Sequence, residues 1–141
     1  MGDNPSLAIE DFDSEALIWL AAYDPATMLN ITKICKQNGR LLFYDPGQQV
    51  VNISTEDIKD GIDSAIGLIV NEYEFETILD KLGISQDSLI SQLDILIVTK
   101  GDRGSTIYQG QHLKNEIEPV KPTSIIYILS MILMKGLYLI F

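Results

Sequence analysis

Short apolar runs alternate with amphipathic stretches along this chain, and their order predicts strands that lead straight into helices. Ala16 to Tyr23 (ALIWLAAY) is a continuous apolar run of strand length, and Asp24-Pro25 behind it supplies a helix N-cap followed by proline at the first helical position. Met28, Ile31 and Cys35 then recur at helical spacing, with Leu29 and Ile34 beside them, until Asn38-Gly39 offers a left-handed stop. Leu41 to Tyr44 reads as a buried strand ended by Asp45-Pro46-Gly47, and Ser54-Thr55 before Glu56-Asp57 as the capped start of a second helix. The pattern repeats: Ala65 to Val70 is a strand, and Glu72 to Leu82 sets Phe75, Ile78, Leu79 and Leu82 on one helical face before Gly83. After a short helix capped by Ser85, Ile95 to Thr99 (ILIVT) is a strand, and Ser105 to Gln109 opens a hairpin through Gly110.

Strands that are apolar throughout suit a parallel sheet buried on both faces. The predicted fold class is α/β: a Rossmann-like three-layer sandwich with a mainly parallel sheet and right-handed crossovers. Ligands of such sheets bind beyond the carboxyl ends of the strands. That rule singles out Tyr23-Asp24, Asp45 to Gln49, Asn71 to Glu74 and Thr99 to Gly104.

Two of these places carry candidate chemistry. Asn71-Glu72-Tyr73-Glu74 lies where a strand ends and a helix begins, so free amides and the helix dipole favour an anion such as phosphate. Asn71 could donate to phosphate oxygen, and Glu74, one turn on, could hold magnesium through water. The plainer alternative makes Asn71 a simple cap, with Glu72 and Glu74 complementing the dipole. In Thr99-Lys100-Gly101-Asp102-Arg103-Gly104, two glycines directly after a buried strand let the backbone pass close to a ligand, and Lys100 and Arg103 add positive charge. Both cations are equally readable as solvated turn residues. The segment has neither the Walker spacing nor the dinucleotide fingerprint.

Composition narrows the partners. The 141 residues are 46% hydrophobic and 21% charged, as in one globular domain, and the formal net charge of -10 opposes binding to nucleic acid or anionic lipid. Before Ala26 every charged side chain is acidic (Asp3, Glu10, Asp11, Asp13, Glu15, Asp24), which predicts a solvated surface. Cys35 is the sole cysteine and nothing in residues 1–13 has the form of a secretory signal, so a reducing, cytoplasmic setting is expected, with Cys35 an inert core thiol. His112 has no second histidine or cysteine near it in sequence and is not expected to bind metal.

In combination and order, LIVNEYEFETIL followed by ILIVTKGDRGSTIY resembles consecutive motifs of the ribokinase/pfkB carbohydrate kinases, and YDPATMLNITKICKQNGRLLFYDPG is similar to the family's preceding strand-helix-strand. The resemblance covers about residues 11–122 and implies a partial ribokinase-like domain over 1–122. It implies ATP and Mg2+ as ligands, with a sugar or nucleoside as phosphate acceptor. By the same resemblance Asn71 contacts nucleotide phosphates, Glu74 helps to place the metal, and Thr99, Lys100, Gly101, Asp102, Arg103 and Gly104 form the nucleotide-binding turn. Asp45 takes the place of an acidic residue that often follows the family's strand.

The family pattern also contains a later GAGD segment that forms an anion hole and supplies the general base. By spacing it should fall at Tyr127 to Leu133, where this chain reads YILSMIL with neither glycine nor carboxylate. Loss of a general base typically costs about a hundred- to ten-thousandfold, and loss of preorganised donors on the order of another hundredfold. With the family's amino-terminal portion and its substrate contacts also expected to be missing, the chain is expected to hold a nucleotide half-site and to be catalytically inactive by itself. The other functional class is a non-enzymatic module that binds nucleotide or pairs with another chain.

Residues 123–141 form a separate apolar tail with Lys135 its sole charge. Its readings are a membrane anchor, disfavoured because about twenty uninterrupted apolar residues are needed, a core helix, or the preferred one, an out-of-frame or truncated remnant. An exposed tail of this kind would favour self-association.

Overall fold

The computed structural model describes residues 13–110 and 113–119, and 138–140 as backbone. Among the described residues the first element is strand β1 (Leu17–Leu20), and Asp24 then caps helix α1 (Pro25–Gln37), its carboxylate accepting from the Ala26 and Thr27 amides at 3.1 and 3.2 Å. The Thr27 side chain first, and then these amide bonds, hold the Asp24 carboxyl below its ordinary range. Next come β2 (Leu41–Tyr44), a short 3-10 turn (Gly47–Val51) and α2 (Thr55–Ser64), whose Asp57 amide donates to the Ser54 hydroxyl. β3 (Gly67–Asn71) runs directly into α3 (Glu72–Leu82), stopped by Gly83 in the left-handed conformation. Helix α4 (Gln86–Gln92), β4 (Ile95–Thr99), β5 (Ser105–Gln109) and β6 (Leu113–Ile117) follow, and β7 is Tyr138–Ile140.

The expected α/β architecture is present. Among the described residues the sheet has the order β6-β5-β4-β3-β2-β1-β7; β7, β1, β2, β3 and β4 are parallel, and β5 and β6 are antiparallel. From β1 to β4 each crossover steps the same way, which sets α1, α2 and α3 in a row in which neighbours touch. One core lies between them and the sheet. It joins Ile18, Leu20, Leu42, Tyr44, Leu68, Val70, Leu96 and Val98 to Met28, Ile31, Cys35, Ile58, Ile62, Phe75, Ile78, Leu89 and Ile90. Cys35 is fully buried there and burial pushes its thiol up to about 11, so it is an unreactive core group.

The opposite sheet face carries Leu17, Trp19, Ile69, Ile95, Ile97 and Ile107, all half-buried, which explains why the strands read as apolar throughout. Phe43 is buried on this face because Gly67 leaves room: a Cβ there would lie 2.4 Å from its ring. Trp19 flanks it with ring centroids 6.1 Å apart.

Two sequence boundaries shift by two residues or more. The first strand closes at Leu20 instead of Tyr23 because the chain turns toward the Asp24 cap, and the third opens at Gly67 because Ala65 ends α2. The 3-10 turn at Gly47–Val51 had no periodic signal to announce it. Gln111, His112 and most of the apolar tail lie outside the described residues. Within the tail, Tyr138–Ile140 pairs in parallel with Ile18 to Leu20, an arrangement that none of the three sequence readings contained. No helix among the described residues is long and apolar enough to cross a membrane.

Candidate functional site

The site is built where β2, β3 and β4 end. In the parallel register Asn71 is the Cα partner of Thr99, so the α3 mouth and the Thr99–Gly104 turn are immediate neighbours. The Thr99 hydroxyl donates to the Val70 carbonyl at 3.4 Å, tying the two strand ends together.

Asn71 and Glu74 form a reciprocal capping box. The Glu74 amide donates to Asn71 Oδ1 at 2.8 Å, and the Asn71 amide donates to Glu74 Oε2 at 2.9 Å. The plainer sequence reading is therefore realised, and it leaves atoms over. Among the described residues Asn71 Nδ2 and Glu74 Oε1 make no hydrogen bond, and since no buried side-chain polar atom there lacks a partner, both are open to solvent. One donor and one acceptor thus remain at the helix mouth.

Asp45 follows β2, and its amide donates to the Leu20 carbonyl at 2.9 Å. Its carboxylate accepts from Trp19 Nε1 at 3.2 Å. Burial pushes this carboxyl above its ordinary range and the nearby negative charge of Glu74 adds to the rise, while hydrogen bonds from Trp19 and the Gly47 amide oppose it. Two carboxylates in mutual electrostatic reach, each with hydrogen-bond support from the scaffold, are hard oxygen donors of the kind magnesium accepts. No group of three or more metal-ligating side chains occurs among the described residues, so a metal here would need oxygens from water or a phosphate to complete its shell.

A pH test follows from Asp45. Between the ordinary aspartate value and the raised one, the folded state holds a proton that the unfolded chain has lost, so stability falls as pH rises through that window. Above it the penalty is fully present. Asp45→Asn keeps an acceptor for Trp19 and removes the charge. Urea midpoints should therefore rise for the variant at pH 7 and converge with the parent near pH 3, and a gain independent of pH would refute the ionisation origin.

The Lys100–Gly104 turn closes on itself. The Lys100 amide donates to the Gly104 carbonyl at 2.8 Å, the Gly104 amide to Gly101 at 3.2 Å and the Arg103 amide to Lys100 at 3.2 Å. Asp102, in the single 3-10 turn Gly101–Arg103, is exposed. The close approach that Gly104 permits is to the protein itself: at φ 82° its missing Cβ would stand 1.9 Å from the Ile117 carbonyl oxygen. The two cations also have internal partners. Lys100 reaches Glu116 at 3.0 Å and Arg103 pairs with Glu72 at the start of α3. Glu116, bonded also by Thr106 and Lys114, has its carboxyl lowered to about 2 by these donors, Lys100 first.

In the sequence Glu72 reads only as complementing the helix dipole, and Glu116 and Trp19 are not singled out there. The first two depend on contacts across 31 and 16 residues, and the third on strand register. An open cleft of about 670 Å3, lined by Ser88, Ile90, Tyr108, Gly110 and Lys114 among others, lies at the other end of β4 and has no part in this site.

Comparison with known proteins follows the same geometry. No family model matches the chain. The nucleoside kinase of Methanocaldococcus jannaschii is 34% identical over 116 residues, 82% of this chain and 37% of the relative. The solved structure of that enzyme, an archaeal member of the ribokinase family, superposes with a TM-score of 0.67 at 32% identity over 77% of this chain and 38% of its own. Burkholderia thailandensis nucleoside kinase in complex with inosine gives a TM-score of 0.73 at 27% identity, covering 79% of this chain and 36% of that one. The chain thus spans a little over a third of the length of these relatives. Over the part that it spans, the chain is similar in sequence and in fold to nucleoside kinases of the ribokinase family.

Proposed function

We propose that this chain provides the nucleotide side of an ATP-dependent kinase acting on a hydroxyl of a nucleoside or sugar, and does not complete the transfer by itself. The observation that supports the reading is the pairing of Asn71 with Thr99, which brings the α3 amides, the spare Asn71 donor and the Lys100–Gly104 turn to one sheet end. Phosphate oxygens would meet Asn71 Nδ2, the Gly101 and Asp102 amides that the turn's own hydrogen bonds leave over, and Arg103. The Arg103–Glu72 pair is exposed on both sides, and such pairs are worth about 0–1 kcal/mol, so Arg103 can exchange Glu72 for phosphate at little cost. Glu74, with Asp45 close by, would hold magnesium, which when bound offsets phosphate charge at this carboxylate-rich mouth. Kinship with nucleoside kinases, one solved with ADP-inosine, supports a nucleoside as the acceptor class.

Turnover is the separate half of the proposal. Residues 123–141 contain no Asp, Glu or His to take a proton from the acceptor hydroxyl. Calorimetric titration with ATP and magnesium should show binding that weakens on the order of tenfold in Arg103→Ala, a fair value for one charge-assisted contact that is partly exposed. No phosphate should move to inosine or ribose. Absence of binding up to millimolar ATP would sink the nucleotide assignment, and measurable transfer would sink the inactivity alone.

A further inference from the structure

Among the described residues strand β6 ends the sheet. It pairs with β5 on one side, all five of its residues are exposed, and Leu113 and Ile117 show 60% and 45% of their surface to solvent. The hydrogen-bond phase of this edge is fixed by the hairpin. Asp94 accepts from the Gly110 amide and Gly104 from the Lys100 amide, so even-numbered residues of β5 bond to β4 and its odd-numbered residues bond to β6. In the β5–β6 register Ser105, Ile107 and Gln109 face Ile117, Asn115 and Leu113. The backbone groups of Lys114 and Glu116 therefore point off the open edge.

An open edge is a template for another strand, and this one is chemically self-complementary. Read in either direction, Leu113-Lys114-Asn115-Glu116-Ile117 runs apolar, charged, amide, opposite charge, apolar. We propose that β6 pairs antiparallel with β6 of a second copy about a two-fold axis at Asn115, joining two sheets into one. Lys114 then stands opposite the second copy's Glu116 and exchanges both backbone hydrogen bonds with it, the symmetric pair does the same, and Leu113 meets Ile117 on the other face. Sliding the seam by one hydrogen-bonded step sets Lys114 against Lys114 or Glu116 against Glu116, and like charges directly opposite are destabilising. Backbone phase excludes odd shifts, so charge and phase select one register.

The net charge of -10 on each copy opposes association, but at physiological salt it is screened beyond about 8 Å, whereas the facing pairs touch. Five residues make a small seam, so the dimer is concentration-dependent.

The test is cross-linking of the full chain. Asn115 faces its own copy across a non-hydrogen-bonded position, where Cα atoms are about 4.5 Å apart and a disulfide fits. Cys35 is buried and does not compete. Under mild oxidation Asn115→Cys should form a covalent dimer at least tenfold faster than Leu113→Cys, whose partner position is Ile117. Adding Lys114→Glu to Asn115→Cys should slow the reaction by a similar factor while circular dichroism stays unchanged. Equal rates at 113 and 115, no disulfide at 115, or indifference to Lys114→Glu in a folded variant would each overturn the proposal.

Discussion

Gly104→Ala will lower the unfolding free energy by about 3 kcal/mol or more, the largest effect expected of a single methyl group in this protein. Two costs add. Gly104 sits at φ 82° and ψ -139°, a region that residues with a side chain avoid, and the new Cβ would stand 1.9 Å from the Ile117 carbonyl oxygen, with Glu118 and Pro119 backbone atoms at 3.0 Å. None of those atoms is the end of a flexible side chain, so relief requires β6 to move. Gly101→Ala is the control, since Gly101 is also at positive φ (61°) but has open space around it. It should cost about 1 kcal/mol. Urea unfolding of both variants decides the matter, and equal midpoints would mean that the seam against Ile117 yields freely.

Ile78→Ala is the second large effect, expected at about 2–5 kcal/mol for a large aliphatic side chain cut back in a filled core. Ile78 is wholly buried on the inner side of α3, the helix whose first turn holds Glu74 and whose cap is Asn71. Its loss leaves a cavity directly under the element that positions the candidate site. Denaturant melts should show the destabilisation, and ATP affinity, if the nucleotide reading is right, should fall less than in Arg103→Ala under conditions where the variant remains folded. A cost below 1 kcal/mol would show that the helix collapses onto the sheet and refills the space.

Much of the fold was legible because its punctuation is local. Pro25, Asn38-Gly39, Ser54, Gly83 and Ser85 each act through their own backbone neighbours, and the helix from Glu72 to Leu82 has the limits its apolar spacing and glycine stop predict. The neighbourhood of Asn71 and Thr99 was legible for a similar reason, since consecutive parallel strands with a helical crossover commonly lie side by side. What stayed hidden depends on register. Glu72 as the partner of Arg103, and Glu116 as the shared acceptor of Lys100, Thr106 and Lys114, arise only once strands are aligned. Asn71 and Glu74 show a third situation: capping and ligand binding call for the same residue types, and only coordinates reveal that capping uses one polar atom of each side chain and leaves the other.

The bond from the Trp19 indole to the Asp45 carboxylate has a practical side. Trp19 is the chain's one tryptophan, so its indole emission, separable from that of the six tyrosines by long-wavelength excitation, arises from a single ring touching the acidic mouth. Any event that protonates Asp45, or draws that carboxylate toward a cation, changes the field at the fluorophore, giving the molecule a label-free optical gauge at the place where its chemistry would be read.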